Sequence, residues 1–177
     1  PIGSVTDVDP AEWRQAVDIN LFGTFLMIRA IAPFMKKQKY GKIINFSGGG
    51  EDAYPNFTSY AAAKGGVVRL TETAAVELKD FNISVNAIAP GGVNTKFLDD
   101  LLAAGPEKVG EETYRRSLEQ KETGGVSPQK CADLVMFLVS EAANSLSGKI
   151  LSAVHDNYAE FPARIKEIMN SDVYTMR

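Results

Sequence analysis

The segment KIINFSGGG (residues 42–50) decides the fold class of this 177-residue chain. It is a short apolar, β-rich run bounded by glycines, which predicts a buried strand over residues 42–47. The alanine-rich stretch 57–79 has apolar residues at helical spacing. A second strand is predicted at 83–89, closed by a Pro-Gly-Gly turn. Strand, helix and strand with short connections are typical of a parallel α/β sheet.

Two residues in TSYAAAKGG (residues 58–66) indicate proton-transfer chemistry. Tyr60 and Lys64 are four residues apart, so a helix places both side chains on one face. A free tyrosine has a pKa of about 10. A neighbouring cation favours the phenolate and lowers that pKa toward the working range. The pair alone is weak evidence for catalysis, because an exposed tyrosine and lysine on the surface of an alanine-rich helix can have the same spacing.

The polar residues at the predicted strand ends support a common site. Ser47 ends the first strand, and the turn PGGVNT (residues 90–95) follows the second. Ligands of parallel sheets bind beyond the carboxyl ends of the strands. We therefore expect Ser47 and this turn to line one crevice.

Four segments in this order and spacing resemble the classical short-chain dehydrogenases/reductases. They are DINLFGTF (18–25), the strand 42–47 with Gly48, YAAAK (60–64) and NAIAPGGVNT (86–95). The resemblance continues more loosely to about residue 152, through a third strand at 148–153. It implies a Rossmann-like, doubly wound parallel α/β sheet, of which this chain holds the C-terminal part, with about three strands and their flanking helices.

The resemblance implies an NAD(P)-dependent oxidoreductase acting on a carbonyl or alcohol substrate. Tyr60 would donate the proton, and Lys64 would stabilise the phenolate and bind the nicotinamide ribose. Ser47 would donate a hydrogen bond to the substrate oxygen. Asn20 would bend its helix and hold a water that links Lys64 to solvent.

The resemblance also assigns the cofactor-facing turn. Val93 and Thr95 would receive the nicotinamide carboxamide, and Pro90 and Gly91 would shape the loop. Tyr60 and Lys64 belong to this set as well.

The position of the catalytic serine has two readings. Counting back from Tyr60 selects Ser47, which we take as the candidate. The family's usual serine doublet reads Ser47-Gly48 here, so counting from the strand places Gly48 at the catalytic position. Ser59 is a weaker substitute.

The glycine-rich pyrophosphate turn that the family carries after its first strand does not occur before Asn20. We therefore expect residues 1–177 to be a single, partial domain of a larger dehydrogenase. Alone, this chain should neither bind the dinucleotide tightly nor turn over. The choice between NAD and NADP stays open.

The sequence also suggests roles for the remaining segments of the chain. Residues 96–125 are expected to form a substrate lid, and residues 155–177 a C-terminal extension. The helices 10–39 and 57–79 are those that relatives pair across a dimer axis, so a homo-oligomer, dimer or tetramer, is expected.

Composition and charge argue against several classes of partner and site. The 19 basic and 22 acidic residues give a net charge of −3, which argues against nucleic acid. Cys131 and His155 are the single cysteine and histidine, which predicts neither a disulfide framework nor a metal site. With no uninterrupted 18-residue apolar run and no signal peptide, we expect a cytoplasmic protein without a membrane partner.

Two other function classes remain open at this stage. One is a Rossmann-fold binding or regulatory protein that has lost catalysis, which Gly48 at the serine position would favour. The other is a sugar-nucleotide epimerase or dehydratase of the extended relatives, which share the Tyr-x-x-x-Lys pattern.

Overall fold

The sheet contains three parallel strands in the order β1-β2-β3 in the computed structural model, which describes residues 1–48 and 53–176. The strands are β1 (Gly41–Phe46), β2 (Ile83–Ala89) and β3 (Ile150–Ser152). β1 pairs with β2 along its whole length. β3 is shorter than the predicted 148–153, although backbone bonds to β2 extend from Gly148 to Ala153. The difference lies at strand ends, where boundaries are least sharp.

Eight α-helices surround this sheet in the described part of the chain. They are α1 (Pro10–Val17), α2 (Gly23–Gln38), α3 (Thr58–Leu78), α4 (Lys96–Ala104), α5 (Pro106–Val109), α6 (Glu111–Thr123), α7 (Pro128–Val139) and α8 (Phe161–Met169). A π-helical turn, Asp18–Phe22, joins α1 to α2. α1 begins where the Asp9 carboxylate accepts hydrogen bonds from the backbone of Ala11 and Glu12.

β2 is the central strand and is buried on both faces. Its side chains alternate with the period of two that a strand imposes. Ile83 and Val85 pack in one cluster with Leu78 of α3. Ile88 packs in another with Leu134 of α7. The sheet therefore has helices on both faces, as the α/β prediction requires.

Asn86 in the middle of β2 fixes the chain that leads into β3. Its amide nitrogen donates to the carbonyl of Leu146 at 2.8 Å. Its amide oxygen accepts from the backbone of Lys149 at 3.1 Å. The Asn86 side chain is 2% exposed, so water cannot replace these bonds easily.

The C-terminal extension covers the outer edge of β3. The backbone of Ile150 donates to the Tyr174 carbonyl at 2.8 Å. The Lys149 ammonium donates to the carbonyls of Ser171 and Val173, at 2.9 Å each. The chain after α8 therefore packs against its own sheet.

The helix that runs from Pro10 to Gln38 leaves most of its apolar surface exposed. Ile19, Phe22, Met27 and Phe34 are each more than half exposed. By length and composition this helix could cross a membrane, but core helices of soluble proteins meet the same criteria. Exposed apolar side chains gathered on one helix mark a candidate contact face.

Asn86→Ala is expected to lower the free energy of unfolding by about 2–4 kcal/mol. The change leaves the Leu146 carbonyl and the Lys149 amide without their buried partner, and each such loss costs about 1–3 kcal/mol. Urea unfolding followed by circular dichroism measures the effect. Thr73→Ala, which removes an exposed hydroxyl bond on α3, is the matched control and should change stability by less than about 0.5 kcal/mol. A loss for Asn86→Ala no larger than that of the control would contradict this account.

Candidate active site

Tyr60 and Lys64 lie together at the start of α3, beside the carboxyl end of β1. The Lys64 ammonium donates to the carbonyl of Phe46, the last residue of β1, at 3.0 Å. It also lies 5.6 Å from the centre of the Tyr60 ring. Burial lowers the pKa of Lys64 from its ordinary value of 10.5. The structure thus brings the phenol and the ammonium side by side, as their spacing predicts.

A cavity of about 430 Å³ opens at this end of the sheet. It brings Tyr60 and Lys64 together with the turn after β2. The described lining residues are Gly48, Tyr54, Tyr60, Lys64, Pro90, Gly91, Gly92, Val93, Thr95, Phe97, Leu98, Leu101, Ser117 and Gln120. All four turn residues predicted to face the cofactor are among them. Ser47 and Asn20 are not.

Ser47 points into the protein. It is fully buried, and its hydroxyl donates to the Ile88 carbonyl of β2 at 3.2 Å. Gly48 faces the cavity instead: a Cβ at this position would lie 3.1 Å from the Tyr60 hydroxyl. Gly48 has φ of +46°, a left-handed conformation that suits glycine. The geometry favours the alignment in which Gly48 takes the place of the family's catalytic serine.

Asn20 lies in the π-helical turn, outside the cavity lining. Its amide donates to the Ala16 carbonyl at 2.9 Å, and its own carbonyl accepts from the Thr24 hydroxyl at 2.7 Å. The turn packs closely on α3, since a Cβ at Gly66 would come within 2.7 Å of the Leu21 side chain. The predicted bend at Asn20 is therefore a π-helical turn, a form common at functional positions in helices.

Tyr54 is a cavity residue that motif reasoning missed. Its ring lies 4.4 Å from the ring of Phe57 and 6.5 Å from that of Tyr60. Burial raises the pKa of Tyr54. A second tyrosine six residues before the motif tyrosine was the available signal, but no spacing rule attaches chemistry to it.

The segment 96–125, predicted as a lid, contains the three helices α4, α5 and α6. Gly105 and Gly110, both at positive φ, separate the three. Phe97 and Leu101 from α4 and Gln120 from α6 reach the cavity.

A family model described as enoyl-(acyl carrier protein) reductase matches residues 1–154. The chain belongs to the short-chain dehydrogenase/reductase family. The match covers the π-helical turn, the Tyr60 and Lys64 pair and the turn after β2. The motif resemblance is thereby confirmed.

Curated members of the short-chain dehydrogenase/reductase family are similar over most of this chain. Trans-4-hydroxycyclohexanecarboxylate dehydrogenase of Sinomonas cyclohexanicum is 38% identical over 152 residues, which are 85% of this chain and 53% of the relative. The 3-oxoacyl-[acyl-carrier-protein] reductase FabG of Thermotoga maritima is 35% identical over 141 residues, 79% of this chain and 54% of the relative. The chain thus spans about half the length of these curated relatives.

Solved structures of short-chain dehydrogenases/reductases share the fold. Carveol dehydrogenase from Mycobacterium avium in complex with NAD superposes with a TM-score of 0.73 at 27% identity. That match covers 86% of this chain and 58% of the relative. A 3-oxoacyl-[acyl-carrier protein] reductase with bound NAD from Brucella melitensis gives a TM-score of 0.66 at 29% identity, covering 85% and 53%. The Rossmann-like fold class predicted from the sequence is confirmed.

Ser47→Ala in the full-length gene product should lower kcat by less than about fivefold, because the hydroxyl points to Ile88. Removal of a donor that contacts the reacting oxygen costs about 10²–10³ in kcat. Steady-state kinetics separate the two cases. Ser59→Ala is the matched control, since Ser59 is also buried and lies outside the cavity lining. A hundredfold loss confined to Ser47→Ala would establish Ser47 as the donor and exclude the Gly48 alignment.

Proposed function

We propose that the full-length gene product is an oxidoreductase that interconverts a carbonyl compound and its alcohol with a nicotinamide dinucleotide. The observation that carries this proposal is the position of Tyr60 and Lys64 in one cavity with the turn 90–95. The relatives that are named dehydrogenases and reductases support the same activity. When bound, the nicotinamide supplies or accepts the hydride.

The turn after β2 suits the nicotinamide end of the cofactor. The backbone of Val126 donates to the Gly92 carbonyl at 2.9 Å, and Val93 pairs with Gly125 in an antiparallel bridge. These bonds hold the turn in one shape. Val93 and Thr95 would then hold the carboxamide. The relatives solved with NAD support a nicotinamide dinucleotide, and either NAD or NADP is compatible with this half of the site.

Tyr60 is the proposed proton donor to the substrate oxygen during reduction. Lys64 stabilises the phenolate that remains and would contact the ribose hydroxyls. Asn20 is proposed to position the water that returns a proton through Lys64, and the packing of its turn on α3 supports this role. With Gly48 in the serine position, Tyr60 is the proposed direct donor to that oxygen.

We also propose roles for the parts of the chain around the cavity. Residues 96–125 act as the substrate lid, because five of their described side chains line the cavity. The exposed apolar face of the 10–38 helix, with α3, forms the contact of a homo-oligomer. The enzyme is cytoplasmic and acts on a small molecule.

A second candidate is a protein that binds the dinucleotide without turnover. Gly48 favours it, because no side chain stands beside the Tyr60 hydroxyl at that position. A binding protein needs no proton relay, so the tyrosine held beside the lysine, together with the asparagine turn on α3, favours catalysis.

Tyr60→Phe in the full-length gene product should lower kcat at least a hundredfold and leave the Kd for the cofactor nearly unchanged. The change removes the proton donor but keeps the ring. Stopped-flow kinetics and calorimetric titration give the two values. Tyr54→Phe is the matched control, since it removes a second cavity phenol and should retain most of kcat. If Tyr60→Phe keeps a tenth of the wild-type kcat, the assignment of Tyr60 fails.

A further inference from the structure

The wall of the cavity beside Tyr60 is aromatic. The Phe97 ring lies 5.3 Å from the Tyr60 ring, at an interplanar angle of 24°. The Tyr54 ring meets the Tyr60 ring edge-on, at an interplanar angle of 61°. Phe57 is 1% exposed and supports Tyr54 from behind. These rings form an aromatic surface next to the Tyr60 hydroxyl.

Charge in the described lining comes from Lys64 alone. The residues that follow Gly48 are Gly49-Gly50-Glu51-Asp52, so their sequence adds no cation. A carboxylate buried here would lack an opposite charge apart from the lysine assigned to Tyr60 and the ribose. Burying an unpaired charge is strongly unfavourable.

The polar lid residues already have partners. The Ser117 hydroxyl donates to the Thr113 carbonyl at 2.7 Å. The Gln120 amide donates to the Asn94 side chain at 3.1 Å. Both side chains thus use a donor within the protein, and the apolar Leu98 and Leu101 complete this wall.

Gly48 lies beside the Tyr60 hydroxyl without a side chain. A Cβ there would be 3.1 Å from that hydroxyl, a tight contact that glycine avoids. A carbon on either side of the carbonyl can therefore pack against the Gly48 backbone. A volume of about 430 Å³ is at the lower end of the ~300–1,000 Å³ typical of ligand pockets.

We propose that the substrate is an uncharged cyclic ketone, or the corresponding secondary alcohol, with its ring against Tyr54 and Phe97 and one ring carbon over Gly48. This proposal rests on the proposed function. The reduction takes one hydride from the reduced nicotinamide onto the carbonyl carbon and one proton from Tyr60 onto the oxygen. The product is the secondary alcohol.

Three matched ketones, assayed with the full-length gene product, test whether the substrate is uncharged and whether it is cyclic. Methyl 4-oxocyclohexanecarboxylate is neutral and cyclic, 4-oxocyclohexanecarboxylate is charged and cyclic, and methyl 6-oxoheptanoate is neutral and linear. With NADH and with NADPH, kcat/KM for the cyclic ester should be at least tenfold above that of each of the others. Equal or faster turnover of the carboxylate or of the linear ester overturns the substrate class and leaves the oxidoreductase intact.

Ligand-observed saturation-transfer NMR tests the same ranking without turnover. The cyclic ester should receive saturation and the carboxylate should not. Turnover of none of the three overturns the proposed function. In that case binding of the cyclic ester alone would still support the aromatic site, and binding of none would overturn the substrate class too.

A substitution in the aromatic wall tests whether Phe97 causes the preference for the cyclic ester. Phe97→Leu should raise KM for the cyclic ester at least fivefold and change KM for the linear ester less than twofold. Met136→Leu, on the exposed surface of α7, is the control and should change neither. Equal effects of Phe97→Leu on both esters would overturn the assignment of the ring contact to Phe97.

Discussion

The hydrogen bond from the Lys64 ammonium to the Phe46 carbonyl connects α3 to the end of the first strand. β1 ends at Phe46, whose carbonyl accepts from the Lys64 ammonium at 3.0 Å. α3 begins twelve residues later in the numbering and carries Tyr60 and Lys64 on the face that turns back to this edge. Because lysine bonds to the strand, the phenol beside it is held at the position where ligands of parallel sheets bind.

The other side of the cavity depends on β2. This strand is buried on both faces, and Asn86 ties it to the loop before β3. The turn that follows is held by backbone bonds to Gly125 and Val126. Tyr60 and the turn 90–95 are therefore fixed relative to each other by the sheet, which is the preorganisation that the proposed proton and hydride transfer requires.

The parts of the site that the sequence predicted are those governed by short-range rules. The i, i+4 spacing placed Tyr60 beside Lys64, and the βαβ pattern placed the turn 90–95 at the same sheet edge. The serine position was different, because adjacent residues at a strand end point in opposite directions and a shift of one residue exchanges core and cavity. Ser47 turns to Ile88, and Gly48 turns to Tyr60. Short-range rules could not predict the aromatic wall either, because Tyr54 and Phe97 meet Tyr60 only through tertiary packing.

The transfer of deuterium from cofactor to product tests the central claim most directly. The full-length gene product would be incubated with a cyclic ketone and nicotinamide cofactor that carries deuterium on the transferable side of C4. Mass spectrometry and NMR of the alcohol locate the label. We expect one deuterium at the carbinol carbon and none elsewhere. Alcohol without deuterium at that carbon, or label that stays on the cofactor while the substrate is isomerised, would contradict it.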